Sequence, residues 1–582
     1  MKELVRDTVV GHLLRSVTRG KVLRFEEERD PSLWKRYVDK EKSGRMAHHG
    51  DVEEEKKEEQ EGNDTSNENM HEQQRAGVAE GDTTANTRNS SDTRVGSGEA
   101  RRNEVSGVPV DPEKGRDVSI VSWFGDNDPE NPLNWLTGKK FLVTFLICLL
   151  TFSVYIGSAI YSAGTEGVME RFGVSQVAAA LGLTLFVAGY GLGPMVWAPM
   201  SEIPQIGRNP IYIGTLVVFV FFQFAVICAK NFGMLLAFRF LTGLFGSPVL
   251  AIGGASLSDM YRPAKRAYAI GIWGIAAICG SRFVKESKNN CGPVLGPLIG
   301  GFAAQHKGWQ WPIWELLWLS GFSLIVLAIF LPETSPANIL YRRSRRLRKL
   351  AERDDLKCEP ELMGEQMTGK DIVLMTLVRP FSLNFLEPIL FLLNLYIALI
   401  YGLLYVWFES FAIVFEGIYG FNLGEEGLSF VGILVGAFIV IPPFFLYLYL
   451  RLPPACVGAF CIPLCLFWFG WTARPSIHWI VPIIGSGWFS VGAFLLFNSV
   501  LNYLGDAYPD YAASVYAGND FMRSSFGAGF PLFAAAMYNN LGVGWASSLL
   551  GFLSIAFIPI PFVLYIYGEQ IRKASKRARH DL

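Results

Sequence analysis

Between residues 141 and 567 the sequence is a succession of apolar runs, each about long enough to cross a bilayer, separated by short polar connections. A hydrocarbon core of about 30 Å takes roughly 20 apolar residues in a helix. No water is available there to satisfy backbone groups, so only helices or closed barrels can cross. The runs lie near 141–162, 175–198, 210–229, 232–257, 267–304 (interrupted), 312–331, 385–411, 427–449, 455–472, 479–503, 512–536 and 545–567. They predict an all-α membrane protein with twelve transmembrane helices. Six precede the loop 332–384 and six follow it. The chain therefore divides into two six-helix halves, 137–331 and 385–568, as expected of a duplicated unit.

Charge is distributed accordingly. Water-soluble domains carry about 25% charged residues, whereas this chain has 18%. Residues 1–136 hold 21 Lys and Arg against 29 Asp and Glu, a net of −8, and the remainder holds 31 against 24, a net of +7. The first 136 residues contain no apolar run that could span a bilayer and no secretory signal. Asp51 to Arg102 is rich in Glu, Asn, Thr, Ser and Gly, a composition that cannot bury enough apolar surface to offset its ordering entropy. Residues 1–136 are thus expected to be a disordered acidic tail. Five of the eight cysteines, Cys148, Cys228, Cys279, Cys461 and Cys465, lie inside apolar runs, so neither a disulfide framework nor a metal site is expected.

Loop charges set the orientation. With the tail in the cytosol, the inner segments hold 22 Lys and Arg, ten of them in the central loop 332–384, while the outer loops hold only Arg171, Lys230, Lys307 and Arg474. Both termini, including a basic tail 569–582, and the central loop are expected to be cytoplasmic.

Several motifs sit on this frame. Asp128-Pro129-Glu130-Asn131-Pro132-Leu133-Asn134-Trp135 precedes the first run, and Ser201-Glu202-Ile203-Pro204-Gln205-Ile206-Gly207-Arg208 follows the second. Gly292-Pro293-Val294-Leu295-Gly296-Pro297-Leu298-Ile299-Gly300-Gly301 lies in the fifth, and Leu331-Pro332-Glu333-Thr334-Ser335-Pro336 opens the central loop. Together these resemble the major facilitator superfamily, specifically its fungal twelve-span drug:proton antiporter branch, over residues 128–571. Glu202 stands where the wider superfamily has Asp. The resemblance implies a proton-coupled transporter with no cofactor, exporting small organic compounds such as drugs or polyamine-like cations. It also implies a multi-pass monomer in the plasma membrane, or alternatively the vacuolar membrane, acting by alternating access and not binding nucleic acid. An uptake transporter or a membrane-embedded sensor remains the alternative, and no arrangement of nucleophile and base suggests an enzyme.

Charged residues inside apolar helices cost several kcal/mol unless they face a partner or water. Arg239 in the fourth run, with Gly243, matches the family's proton-coupling motif; a structural ion pair is the open alternative. Glu409 in the seventh run is the first choice for a proton-linked carboxylate, unless it merely marks the water interface. Asp506 and Asp259 follow, at helix ends where a cap or ion pair also explains them. Tyr155, Ser158, Tyr161, Tyr405, Phe408, Asn498, Asn519 and Arg523 offer the stacking, cation–π and sparse polar contacts that suit an amphipathic or cationic solute. Glu202, Gly207, Arg208, Gly243, Gly296, Pro297, Gly300 and Gly301 are expected to be structural motif residues. Deleting 281–292 would restore an unbroken fifth run, so that segment, with the short connection 450–454, is read as a gene-model artefact.

Overall fold

A computed structural model of the full chain describes residues 5–35, 119–279, 300, 303–365, 374, 378–446, 453–508 and 512–575. The chain divides into two units, one of Met1–Arg24, Val121–Ser344 and Cys358–Leu582, the other of Phe25–Ile120 and Arg345–Lys357.

The larger unit opens with α1 (Val9–Val17), capped by the Thr8 hydroxyl, which accepts from the Gly11 amide. The first group of membrane helices follows as α2 (Thr137–Ala159), α3 (Thr165–Phe172), α4 (Gln176–Glu202), α5 (Asn209–Ile227), α6 (Phe232–Gly246), α7 (Pro248–Met260), α8 (Pro263–Cys279) and α9 (Trp311–Phe330). Connecting helices α10 (Pro336–Ala351), α11 (Glu359–Glu365) and α12 (Arg379–Leu386) lead to the second group. That group is α13 (Pro388–Phe411), α14 (Leu423–Ser429), α15 (Val431–Leu446), α16 (Pro453–Thr472), α17 (Ile480–Ala507), α18 (Ala512–Gly529), α19 (Pro531–Phe557) and α20 (Pro559–Ala574). Local chemistry sets the boundaries. Ser175 and Asn231 cap α4 and α6 by accepting the Ala178 and Met234 amides, as small polar residues do at helix starts. Asn422 and Glu425 form a reciprocal capping box on α14.

Ten stretches among the described residues are long and apolar enough to cross a membrane. Two of the twelve expected runs are not among them. The fifth is represented by α8, after which residues 280–299 lie outside the description; Gly296, Pro297, Gly301, the segment 281–292 and Arg451 are all among the residues not described. The eleventh is represented by α18, too polar to qualify because it carries Asn519, Asp520 and Arg523. Pro531–Lys573 forms one apolar stretch broken at Gly542, whose φ of 73° and ψ of 159° interrupt the helix where a turn between the last two runs is expected.

One apolar core gathers chiefly residues between Trp135 and Leu331, another residues between Tyr396 and Leu550. Large apolar side chains also cover the outside, Phe221, Ile439 and Trp545 each more than 60% exposed, which suits a surface solvated by lipid tails. The helix ends next to Thr137 are tied by buried charge. Arg343 of α10 bonds Asp128 at 2.6 and 3.1 Å and Glu130 at 3.0 Å, with the Phe124 ring 4.2 Å from its guanidinium. Glu333 accepts the backbone amides of Arg208, Asn209, Thr334 and Ser335 at 2.9–3.1 Å.

The expectation of a wholly disordered tail is corrected at its ends. Arg6 lies 3.6 Å from Glu130, the Glu333 amide donates to the Asp7 carbonyl, and Thr8 is fully buried. Residues 51–102 lie outside the description. In the smaller unit, Ser119–Ile120 pairs in parallel with Leu356–Lys357. There Arg346 bonds Glu27 at 2.7 Å and covers the Phe25 ring.

Candidate functional site

The two groups of helices enclose a cavity of about 480 Å³. From the first group come Tyr155 and Ser158 of α2, Leu250 of α7 and Trp273 of α8. From the second come Tyr405, Phe408 and Glu409 of α13, Ser490 and Asn498 of α17, and Arg523 of α18. Of the residues predicted to bind a solute, Tyr155, Ser158, Tyr405, Phe408, Asn498 and Arg523 are thus brought together, and the proton-coupling candidate Glu409 joins them. The alternation of helix direction places Glu166, Glu416 and Glu426 at one mouth, away from the tied ends. Glu409 and Glu416 are seven residues apart on one helical stretch that ends in a π-helical turn, Ala412–Glu416, and both line the cavity. Glu416 and Glu426 thus bring two carboxyls to the same mouth from neighbouring helical stretches.

The walls are aromatic. Trp407 stacks on Phe489 with ring centroids 5.0 Å apart, and Phe408 meets Phe430 edge-on at 5.5 Å. Deeper in, hydroxyls of the two groups meet: Tyr190 of α4 and Tyr401 of α13 are 2.6 Å apart, and Tyr401 and Tyr405 3.4 Å. Arg523 sits 5.5 Å from the Tyr401 ring and 5.9 Å from that of Phe497. Its Nε donates to Asp520 Oδ1 at 2.8 Å, and its Nη2 bonds the same oxygen. Asp520 Oδ2 has no partner, although the residue is only 1% exposed. Two other buried acceptors at the cavity, Ser490 Oγ and Asn498 Oδ1, are likewise unpartnered. Unpaired buried polar atoms are costly, and for Ser490 and Asn498, which line the cavity, a bound solute is the natural partner.

Other predicted residues lie behind the walls. Tyr161 donates to the Ala179 carbonyl, and Asn519 donates to Asn394, joining α18 to α13; neither lines the cavity. Arg239 donates to the carbonyls of Gly182 and Gly157 at 3.0 and 3.1 Å, its guanidinium 4.5 Å from the Tyr161 ring and 4.4 Å from that of Phe186. It clamps α2, α4 and α6 together through carbonyls and aromatic faces. Asp259 pairs with Arg208 at 2.8 Å at the tied end. Asp506 is half-buried near the end of α17, and Glu202 ends α4 near the charges of Arg208 and Arg379. Gly207 has φ 76°, and a Cβ there would come 2.7 Å from Glu333 Oε2 and Asn338 Cγ. At Gly243 a Cβ would come 2.1 Å from the Phe186 carbonyl oxygen, so α4 and α6 touch backbone to side. Gly300 is buried.

Sequence reading missed Asp520, Glu416, Glu426 and Tyr190. Asp520 carried the same signal as Arg523, a charge inside a spanning run, and Glu416 repeats Glu409 at helical spacing.

A helical membrane body in two groups, meeting at a cavity lined from both, is the architecture of two-half transporter folds. The chain belongs to the Major Facilitator Superfamily, whose profile matches residues 147–531. It is 43% identical over 505 residues to Transporter mfs1 of Schizosaccharomyces pombe, covering 82% of this chain and 93% of that protein. It is 41% identical over 476 residues to Fluconazole resistance protein 1 of Saccharomyces cerevisiae, covering 78% and 84%. Over 517 residues it is 39% identical to the Cycloheximide resistance protein of Candida maltosa, covering 84% and 91%. Among solved structures it shares the fold of the proton:xylose symporter XylE, with a TM-score of 0.52 at 13% identity over 74% of this chain and 96% of that one. The chain is therefore a transporter and not an enzyme.

Proposed function

We propose that this transporter exports small organic compounds, amphipathic cations above all, in exchange for protons. The cavity is the observation that carries the reading. Its volume of about 480 Å³ falls in the range of small-molecule sites, roughly 300–1,000 Å³. Its aromatic walls suit stacking and cation–π contact, and its mouth is acidic. The names of the relatives, resistance to fluconazole and to cycloheximide, support export. Glu409, facing the cavity, is the carboxyl that exchanges a proton as solute enters and leaves, and Arg239 holds the first group of helices rigid behind it. The Lys and Arg distribution supports cytoplasmic termini, with the acidic mouth on the far side of the membrane; the proposed location is the plasma membrane. The protein acts as a twelve-span monomer whose halves rock about the cavity.

The test is flux of a cationic dye in vesicles containing the full chain. Uphill dye movement should follow an imposed pH gradient and stop when a protonophore collapses it. Glu409→Gln should abolish gradient-driven movement while the protein remains in the membrane. Flux indifferent to the pH gradient would overturn the reading, and an unchanged Glu409→Gln variant would remove Glu409 from it.

A further inference from the structure

Arg523 and Asp520 are three residues apart on α18, the arginine on the cavity wall and the aspartate behind it. Both Arg523 donors that reach Asp520 converge on Oδ1, which leaves Oδ2 buried and without a partner. A carboxylate oxygen in that position is expensive to keep charged and is a seat for a proton. The groups facing the pair from neighbouring helices are Tyr155 of α2, Tyr190 of α4 and Tyr401 and Tyr405 of α13. Phenols ionise only near pH 10, so these tyrosines contribute hydroxyls and ring faces but no charge in the physiological range. The net charge of the Arg523–Asp520 pair is then set by one proton, apart from the carboxyl of Glu409 elsewhere on the cavity lining.

We propose that Asp520 is a proton-controlled counter-ion to Arg523, through which the cavity changes its preference from organic cations to organic anions. With Asp520 ionised the pair is neutral, and an organic cation meets no opposing charge among the tyrosine faces. A proton passing from cavity water to Oδ2 neutralises the carboxylate and leaves the guanidinium uncompensated. The wall then carries one positive charge, which repels a cation towards the acidic mouth and attracts an anion. Asp520 acts through Arg523 and is a positioning residue. The inference rests on the proposed proton-coupled reading and assigns the charge class of solute at the same site.

Equilibrium binding tests it without any gradient. The probes are tetraphenylphosphonium and tetraphenylborate, nearly equal in shape and opposite in charge, applied to the purified full chain in nanodiscs at neutral and acid pH. The wild type should bind the phosphonium better at neutral pH and the borate better in acid. Asp520→Asn should weaken phosphonium binding about tenfold or more at neutral pH, an electrostatic change of about 1.4 kcal/mol, and strengthen borate binding. Asp520→Glu should keep the pH response. Asp520→Asn with Arg523→Gln should recover phosphonium binding at neutral pH, a rescue that a merely structural role would not give. If Asp520→Asn does not fold, Arg523→Gln alone decides, because it should remove the acid-induced gain in borate binding. Asp520→Asn with wild-type affinities for both ions, a double variant without recovery, or an Arg523→Gln variant with the wild-type borate response would each overturn the proposal. Binding that follows these signs in a protein with no pH-driven flux would overturn the antiport reading and leave this one standing.

Discussion

Asp128 is 4% exposed and charged, and its place at the tied end explains both facts. Burial alone would raise its carboxyl, but the Arg343 guanidinium and the amides of Phe124 and Glu130 hold it below the ordinary 3.8. A folded-state value below the unfolded one stabilises the fold at higher pH, and the contribution disappears as pH falls through the folded value. Asp128→Asn should therefore cost about 3 kcal/mol at neutral pH, the order of a broken buried pair. Thermal unfolding in detergent should show that difference shrinking once the pH drops below about 3.8. At this scale the sequence was half legible. Asp128 and Glu130 stood out as a motif and Arg343 as part of a basic loop, but pairing residues 215 positions apart requires the fold. Arg239 was legible as a buried cation, whereas its carbonyl and ring partners were not, because backbone acceptors leave no mark in composition.

Among the elements, the contact of α4 with α6 depends on a missing side chain at Gly243, where a Cβ would come 2.1 Å from the Phe186 carbonyl oxygen. Gly243→Val should force the helices apart and cost about 1–3 kcal/mol or more, as overpacking does. It should appear as a lower monodisperse fraction on size exclusion, with α6 still inserted. Most helices were readable because bilayer length and apolarity leave a strong signal. α18 was harder to delimit, since a helix shielded by its neighbours can carry Asn519, Asp520 and Arg523 at the expense of that signal. α1 escaped notice because nine residues are too few for a helix to be stable alone; its order comes from the contacts of Arg6, Asp7 and Thr8.

For the molecule as a whole, those contacts divide the N-terminal region into parts of unequal worth. Deleting residues 36–115 should leave insertion and thermal stability unchanged, given the polarity of that stretch. Removing residues 1–24 should lower stability by about 1–3 kcal/mol, because it strips the Glu333 amide of its acceptor and Glu130 of Arg6. Equal melting temperatures for the two truncations would contradict that division. The two-group architecture was legible in the spacing of the runs; the cavity was not, because its wall is assembled from helices distant in sequence. Its acidic mouth has one more consequence. Glu166, Glu416 and Glu426 line that rim, and carboxylates gathered at a narrow opening form a negative funnel that concentrates small cations from the adjoining solution. A transporter releasing a cation there works against its own retention of the product. Dissolved salt relieves that retention within a Debye length of about 8 Å at physiological ionic strength, so release of a cation at that mouth should quicken as salt is raised on that side alone.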